Sequence, residues 1–82
     1  MIKNLYALFD KAADLYSEPV PMLTDGLMVR TVTDMIAGGK HPVSMHPSDF
    51  SIVCVGEWNE RTGTIAEIEP RVVTQCDILK GE

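Results

Sequence analysis

Cysteine is scarce in this chain. Two thiols, Cys54 and Cys76, in 82 residues are too few for a disulfide framework. They read as reduced, buried thiols of a cytosolic protein. No apolar run approaches the ~18 residues that a spanning helix needs. The N-terminus lacks the charged-then-apolar pattern of a secretory signal. The expectation is therefore a cytosolic protein without membrane contact. Cations are few as well: seven Lys and Arg stand against twelve acids, for a net charge of −5. Lys3, Lys11, Arg30, Lys40, Arg61, Arg71 and Lys80 are scattered and form no basic run. Such a chain does not attract phosphate backbones over long range. A glycine-rich phosphate loop is also missing, since Gly38-Gly39 lacks the strand–loop–helix context of one.

What is present is ordinary globular composition, 45% hydrophobic and 23% charged. That much apolar surface offsets the entropy cost of ordering and argues against disorder. The length suits one domain, residues 1–82. A chain this short buries only about 60% of its unfolded surface. Its core is thin, and self-association would add to it.

Ile2 to Phe9 reads as a first strand, followed by a turn or short helical piece at Asp10 to Tyr16. Pro19 and Pro21 forbid both a helix and a central strand, so Ser17 to Thr24 reads as an extended connector. Thr24-Asp25 offers an N-cap. Met28, Val32, Met35 and Ile36 then form one apolar stripe, and Gly38-Gly39 supplies the stop. These signals predict a helix over Asp25–Ala37. Lys40 to Asp49, with Pro42 and Pro47, reads as a loop.

Phe50 to Trp58 reads as a central strand, since Ile52, Val53, Cys54 and Val55 are apolar on both pleat faces, with Gly56 marking a bulge or close approach. Asn59 to Thr62 suits a type I turn, and Gly63 suits the left-handed position after it. Thr64 to Ile68 returns as a third strand that Pro70 ends. Val72-Val73 is a short extended piece. Thr74 to Asp77 matches a capping box ahead of one terminal turn at Ile78 and Leu79.

Candidate chemistry is sparse. His41, His46, Cys54 and Cys76 are zinc-ligand types, but the prolines break the His spacing and the cysteines are unpaired in sequence. Cys54 with His41 or His46 would make a thiolate–imidazole pair, yet an apolar mid-strand thiol is inert. Glu57, Glu60, Glu67 and Glu69 lie on or near a hairpin that is expected to be solvated, unlike paired catalytic carboxyls. No catalytic residue, metal site or cofactor is predicted. Trp58, Phe50, Tyr6, Phe9 and Tyr16 suit core packing better than a base-stacking platform, which needs basic neighbours. The candidate contact residues for nucleic acid or a partner are Arg30, Phe50, Trp58 and Arg61. Arg30 precedes Asp34 by one helical turn, the weaker order for an ion pair, which leaves Arg30 more available for another role.

The order of residues also carries a resemblance. Tyr6 lies in the first strand. Pro19-Val20, Thr24-Asp25-Gly26, Arg30 and Asp34 follow, then His46-Pro47-Ser48-Asp49-Phe50, Gly56-Glu57-Trp58 and Thr62-Gly63. From Tyr6 to Leu79 the chain resembles the small nonstructural protein of gokushovirus-type microviruses, phages with circular single-stranded DNA. The resemblance implies a non-capsid protein made in the host cytoplasm, with a part in viral DNA replication and with DNA binding attributed to some members. The acidic balance favours action through a viral or host replication protein over direct single-stranded DNA binding.

The resulting expectation is an α+β domain with three mainly antiparallel strands, Ile2–Phe9, Ser51–Trp58 and Thr64–Ile68, and the helix Asp25–Ala37 on one face. Apolar residues on both faces of the central strand predict a homodimer. The expected function is that of a non-enzymatic adaptor in phage genome replication, with single-stranded DNA binding as the alternative.

Overall fold

Strand β1 (Ile2–Asp10) lies beside the hydrophobic β4 (Phe50–Asn59), and this antiparallel pair forms the centre of the sheet. The computed structural model describes residues 1–79. Two short strands, β2 (Leu15–Tyr16) and β3 (Val20–Met22), pair antiparallel with successive parts of the outer edge of β1. On the other side, β5 (Ile65–Gln75) pairs with β4. The sheet thus has five strands, where three were expected.

Two of the additional pairings come from the expected turn and connector. Asp10 Oδ1 accepts from the Ala12 and Ala13 amides and folds the chain back, so that Leu15 and Tyr16 meet β1. The ladder then breaks at Ser17, whose Oγ accepts the Leu8 amide at 2.9 Å and whose own amide donates to Leu8 O at 2.8 Å. The prolines lack an amide hydrogen and suit an edge strand. Accordingly, Pro21 pairs with Leu5 in β3.

β5 continues through Pro70, contrary to the expected stop there. Its register against β4 shifts between Cys54/Arg71 and Gly56/Glu67. Pro70 falls in that bulge on an edge strand, where no ladder hydrogen bond is required of it. Thr74 is likewise a strand residue, opposite Ile52, and its hydroxyl donates to Gln75 O. The expected capping box is therefore absent, and the terminal 3-10 turn begins at Cys76.

Helix α1 (Asp25–Gly38) follows its local signals closely. Thr24 Oγ1 caps the Leu27 amide at 3.2 Å, and Gly39 closes the helix at φ 75°. Met28, Val32 and Ile36 face Tyr6, Leu8, Ile52 and Cys54 of the sheet. Lys40–Asp49, read as a loop, contains helix α2 (Pro42–Met45) and a 3-10 turn at Pro47–Asp49. Each proline sits in the first turn, where its missing amide is an orphan in any case. Val43 is buried, and Ser44 Oγ donates to Met35 O at 2.9 Å, which ties α2 to α1. The β4–β5 turn has Gly63 at φ 77° as expected, and the Gly63 amide donates to Asn59 O at 2.7 Å.

Candidate functional site

Alternation along β1 and β4 sends side chains to two faces of the sheet. One face is covered by α1. Where the strands meet the N-terminal end of that helix lies a polar cluster. Asn4 Nδ2 donates to the Tyr6 hydroxyl at 2.8 Å, and the Tyr6 hydroxyl donates to Asp25 Oδ1. Arg71 grips the same carboxylate with two bonds of 2.8 and 3.1 Å. The Arg71 hydrogen bonds, followed by that from Tyr6, hold Asp25 below the usual carboxylate range. Burial, followed by the bond to Asp25, pushes Tyr6 up to about 12. Every member has a partner, so the cluster acts as a latch fastening α1 to β1 and β5. No sequence signal marked Arg71 or Asp25 as a pair, because they are 46 positions apart.

Beside the latch, α1 and the β2–β3 edge do not close fully. A cleft of about 490 Å³ remains between them. Its floor is apolar, formed by Leu8, Met28, Met35, Val20 and Met22, while Ser17, Thr31 and His41 add polar groups. Glu18 lies on its strand side. Asp34, exposed, follows the lining residue Thr31 by one helical turn on α1. Sequence reading missed this cleft, since Met28 and Met35 read simply as core and Val20 and Met22 as connector.

Among the described residues the opposite face carries no helix. By register, Leu5, Ala7 and Phe9 of β1 share it with Val53 and Trp58 of β4 and Val72 of β5. Tyr16 lies across from Phe9, with ring centroids 4.8 Å apart.

The residues singled out in the sequence are placed apart. Phe50 is buried in the core beneath α1. Trp58 is half-buried at the other end of β4, about 26 Å away at ordinary strand rise. Arg61 lies exposed in the β4–β5 turn near Trp58, and Arg30 is exposed on α1. The structure therefore brings Trp58 and Arg61 to one end of the molecule and leaves Phe50 and Arg30 elsewhere. Two other cations are engaged in ion pairs, Lys3 with Glu60 at 3.2 Å and Arg71 with Asp25 at 2.8 Å. Lys80 lies outside the described residues.

Cys54 and Cys76 are both free and buried. Burial, followed by the Asp77 charge, pushes the Cys76 thiol up to about 11, which makes it a poor nucleophile. The His41 ring is occupied locally, its Nδ1 accepting the Val43 amide at 3.1 Å. Among the described residues no three His, Cys, Asp or Glu side chains converge to hold a metal. No described helix is long and apolar enough to cross a membrane.

No curated protein and no solved structure matches this chain. The family described as Phage ORF5 protein matches it over residues 3–78. That span takes in all of the sheet but Ile2, with α1, the latch and the cleft, and the chain belongs to the Phage ORF5 protein family.

Proposed function

We propose that this phage protein is a nonstructural, non-enzymatic adaptor of a gokushovirus-type microvirus. It acts in the host cytoplasm, in replication of the single-stranded DNA genome, by holding a segment of a viral or host replication protein. The observation that carries this reading is the cleft between α1 and β2–β3. At about 490 Å³ it falls within the range of binding sites, roughly 300–1,000 Å³, and is mostly apolar with a few polar groups at its margin. Glu18 lines it and Asp34 follows its lining residue Thr31 by one helical turn, so the segment it suits has apolar anchors and basic neighbours. Pro19 and Pro21 lack amide hydrogens along the adjoining edge, which disfavours docking by strand addition. Side chains entering the cleft are the better fit.

The test is a binding titration between the purified chain and the replication initiation protein of the same phage. Val20, partly exposed at the cleft, is replaced by lysine, which sets a positive charge against the basic neighbours of the segment. Specific binding that V20K weakens at least tenfold supports the adaptor reading. Binding that is absent, or indifferent to V20K, removes it.

The alternative, single-stranded DNA binding, draws on Trp58 and Arg61 lying at one end of the molecule. Anisotropy of a labelled oligonucleotide across a salt series decides it. Affinity that falls steeply with salt marks phosphate contacts. No binding at low salt leaves the adaptor.

A further inference from the structure

The sheet face away from α1 has no covering helix or strand among the described residues. Its side chains are nevertheless those of an interior. Ala7 and Val53 stand at its centre, only 2% and 3% exposed. Around them rise Leu5, Phe9, Trp58, Val72 and Tyr16. Val72 is 59% exposed, Tyr16 51% and Ile65, opposite Trp58, 66%. A domain built as one sheet and one helix leaves such a face to be buried against something else.

We propose that this face is the contact between two copies of the chain, packed sheet on sheet. Three observations single out a second copy. The first is charge. A chain of net charge −5 repels its like, so self-association requires a face free of that excess. By register and alternation the charged residues on this face are Lys3, Glu67 and Glu69, a net charge of −1 against −5 for the whole chain. The acids Asp10, Asp25 and Glu57 fall on the opposite side. The second is shape. Small residues at the centre with aromatic and branched residues around them form a shallow trough with raised margins. A two-fold axis would set each copy's margin against the other's trough, at the roughly 10 Å spacing of packed sheets. The third is size. Four strand positions at ~4.8 Å and a seven-residue length at ~3.3 Å give about 450 Å² in flat projection. Two copies would cover about 900 Å² before side-chain relief is counted, near the ~1,000 Å² minimum for a specific interface. A patch of about 450 Å² falls in the ~300–600 Å² range of the largest patch on a typical monomer, which is often functional.

Nucleic acid is the competing occupant, because Phe9, Tyr16 and Trp58 share the face. Lys3, however, is already paired with Glu60. Arg61, in the turn near Trp58, leaves the face with aromatic rings but few of the cations that phosphates require.

The experiment is sedimentation velocity on the full chain from low to high micromolar concentration, with Trp58 emission followed in parallel. A species of twice 9.1 kDa, formed with rising concentration and a blue shift of Trp58, is expected. Val72→Glu places a charge at an exposed position, so the monomer still folds. It should raise the dissociation constant at least tenfold with an unchanged circular dichroism spectrum. Met45→Glu, a similarly exposed change on α2, should leave association as it was. A monomer throughout the range overturns the proposal. So does a dimer indifferent to V72E, or an oligonucleotide that quenches Trp58 and binds the monomer through this face. These outcomes are independent of the cleft, because V20K addresses the other side of the sheet.

Discussion

Tyr6→Phe isolates the latch. The substitution keeps the ring, which is buried against α1, and removes only the hydroxyl that accepts from Asn4 and donates to Asp25. A hydrogen bond to a charged group contributes about 1.5–3 kcal/mol and a neutral one about 1, so the expected loss is roughly 2–3 kcal/mol after Asn4 regains some solvent. Asp25 retains Arg71, so no charge is left uncompensated. With a urea dependence of about 1 kcal/mol per molar for so small a chain, the midpoint should fall by ~2–3 M. The same hydroxyl gives a pH signature. Burial raises the folded-state value of Tyr6 from 10.0 to about 12. A raised value means that the contribution is complete below pH 10 and is lost as pH climbs through 12. Two units correspond to roughly 2–3 kcal/mol, and Y6F has nothing to lose in that window. The assay is urea denaturation by circular dichroism, at one fixed protein concentration, from pH 7 to pH 12. Other titrating groups are common to both proteins and cancel in the difference. The reasoning fails if the two midpoints lie within ~0.5 M at neutral pH, or if their separation stays constant to pH 12.

The remaining expectations concern other parts of the fold. Gly39→Ala puts a side chain at φ 75° and should cost about 1–2 kcal/mol from left-handed strain, read as a lower urea midpoint. Arg71→Met should cost well under 1 kcal/mol at neutral pH, because both partners of that ion pair are about half exposed. Its acid unfolding should nevertheless begin at higher pH. Asp25 is depressed chiefly by Arg71, so its contribution is present above the ordinary carboxylate value and lost as pH falls through the depressed one. Acid titration followed by circular dichroism reads that shift. Cys54 and Cys76 should resist a thiol reagent at pH 8 in the native protein and react once urea unfolds it; fast reaction of the native protein would contradict their burial.

What could be read without the structure follows from interactions that are local in sequence. Thr24 caps α1 three residues on, the apolar stripe from Met28 to Ile36 faces the core, and Gly39 stops the helix. The interactions that produce this helix lie within or beside it, so the sequence could declare it. Strand β4 was legible for a related reason. Its run from Ile52 to Val55 is apolar on both faces, and only a central position satisfies such a run. Gly63 declared its turn through backbone freedom alone.

The remaining elements depend on distant partners. Pro70 reads as a terminator until β5 is known to be an edge strand that bulges there. Val20 to Met22 reads as linker until β1 offers its outer edge. Asp25 reads as an ordinary first-turn acid until folding brings Arg71 beside it. The sequence by itself determined composition, charge, the α1 helix, the central strand and the hairpin turn, through short-range sterics, capping and periodicity. Only tertiary structure decided the five-strand order, the latch, the cleft and the uncovered face, because each is formed by side chains whose apposition depends on chain closure over tens of residues.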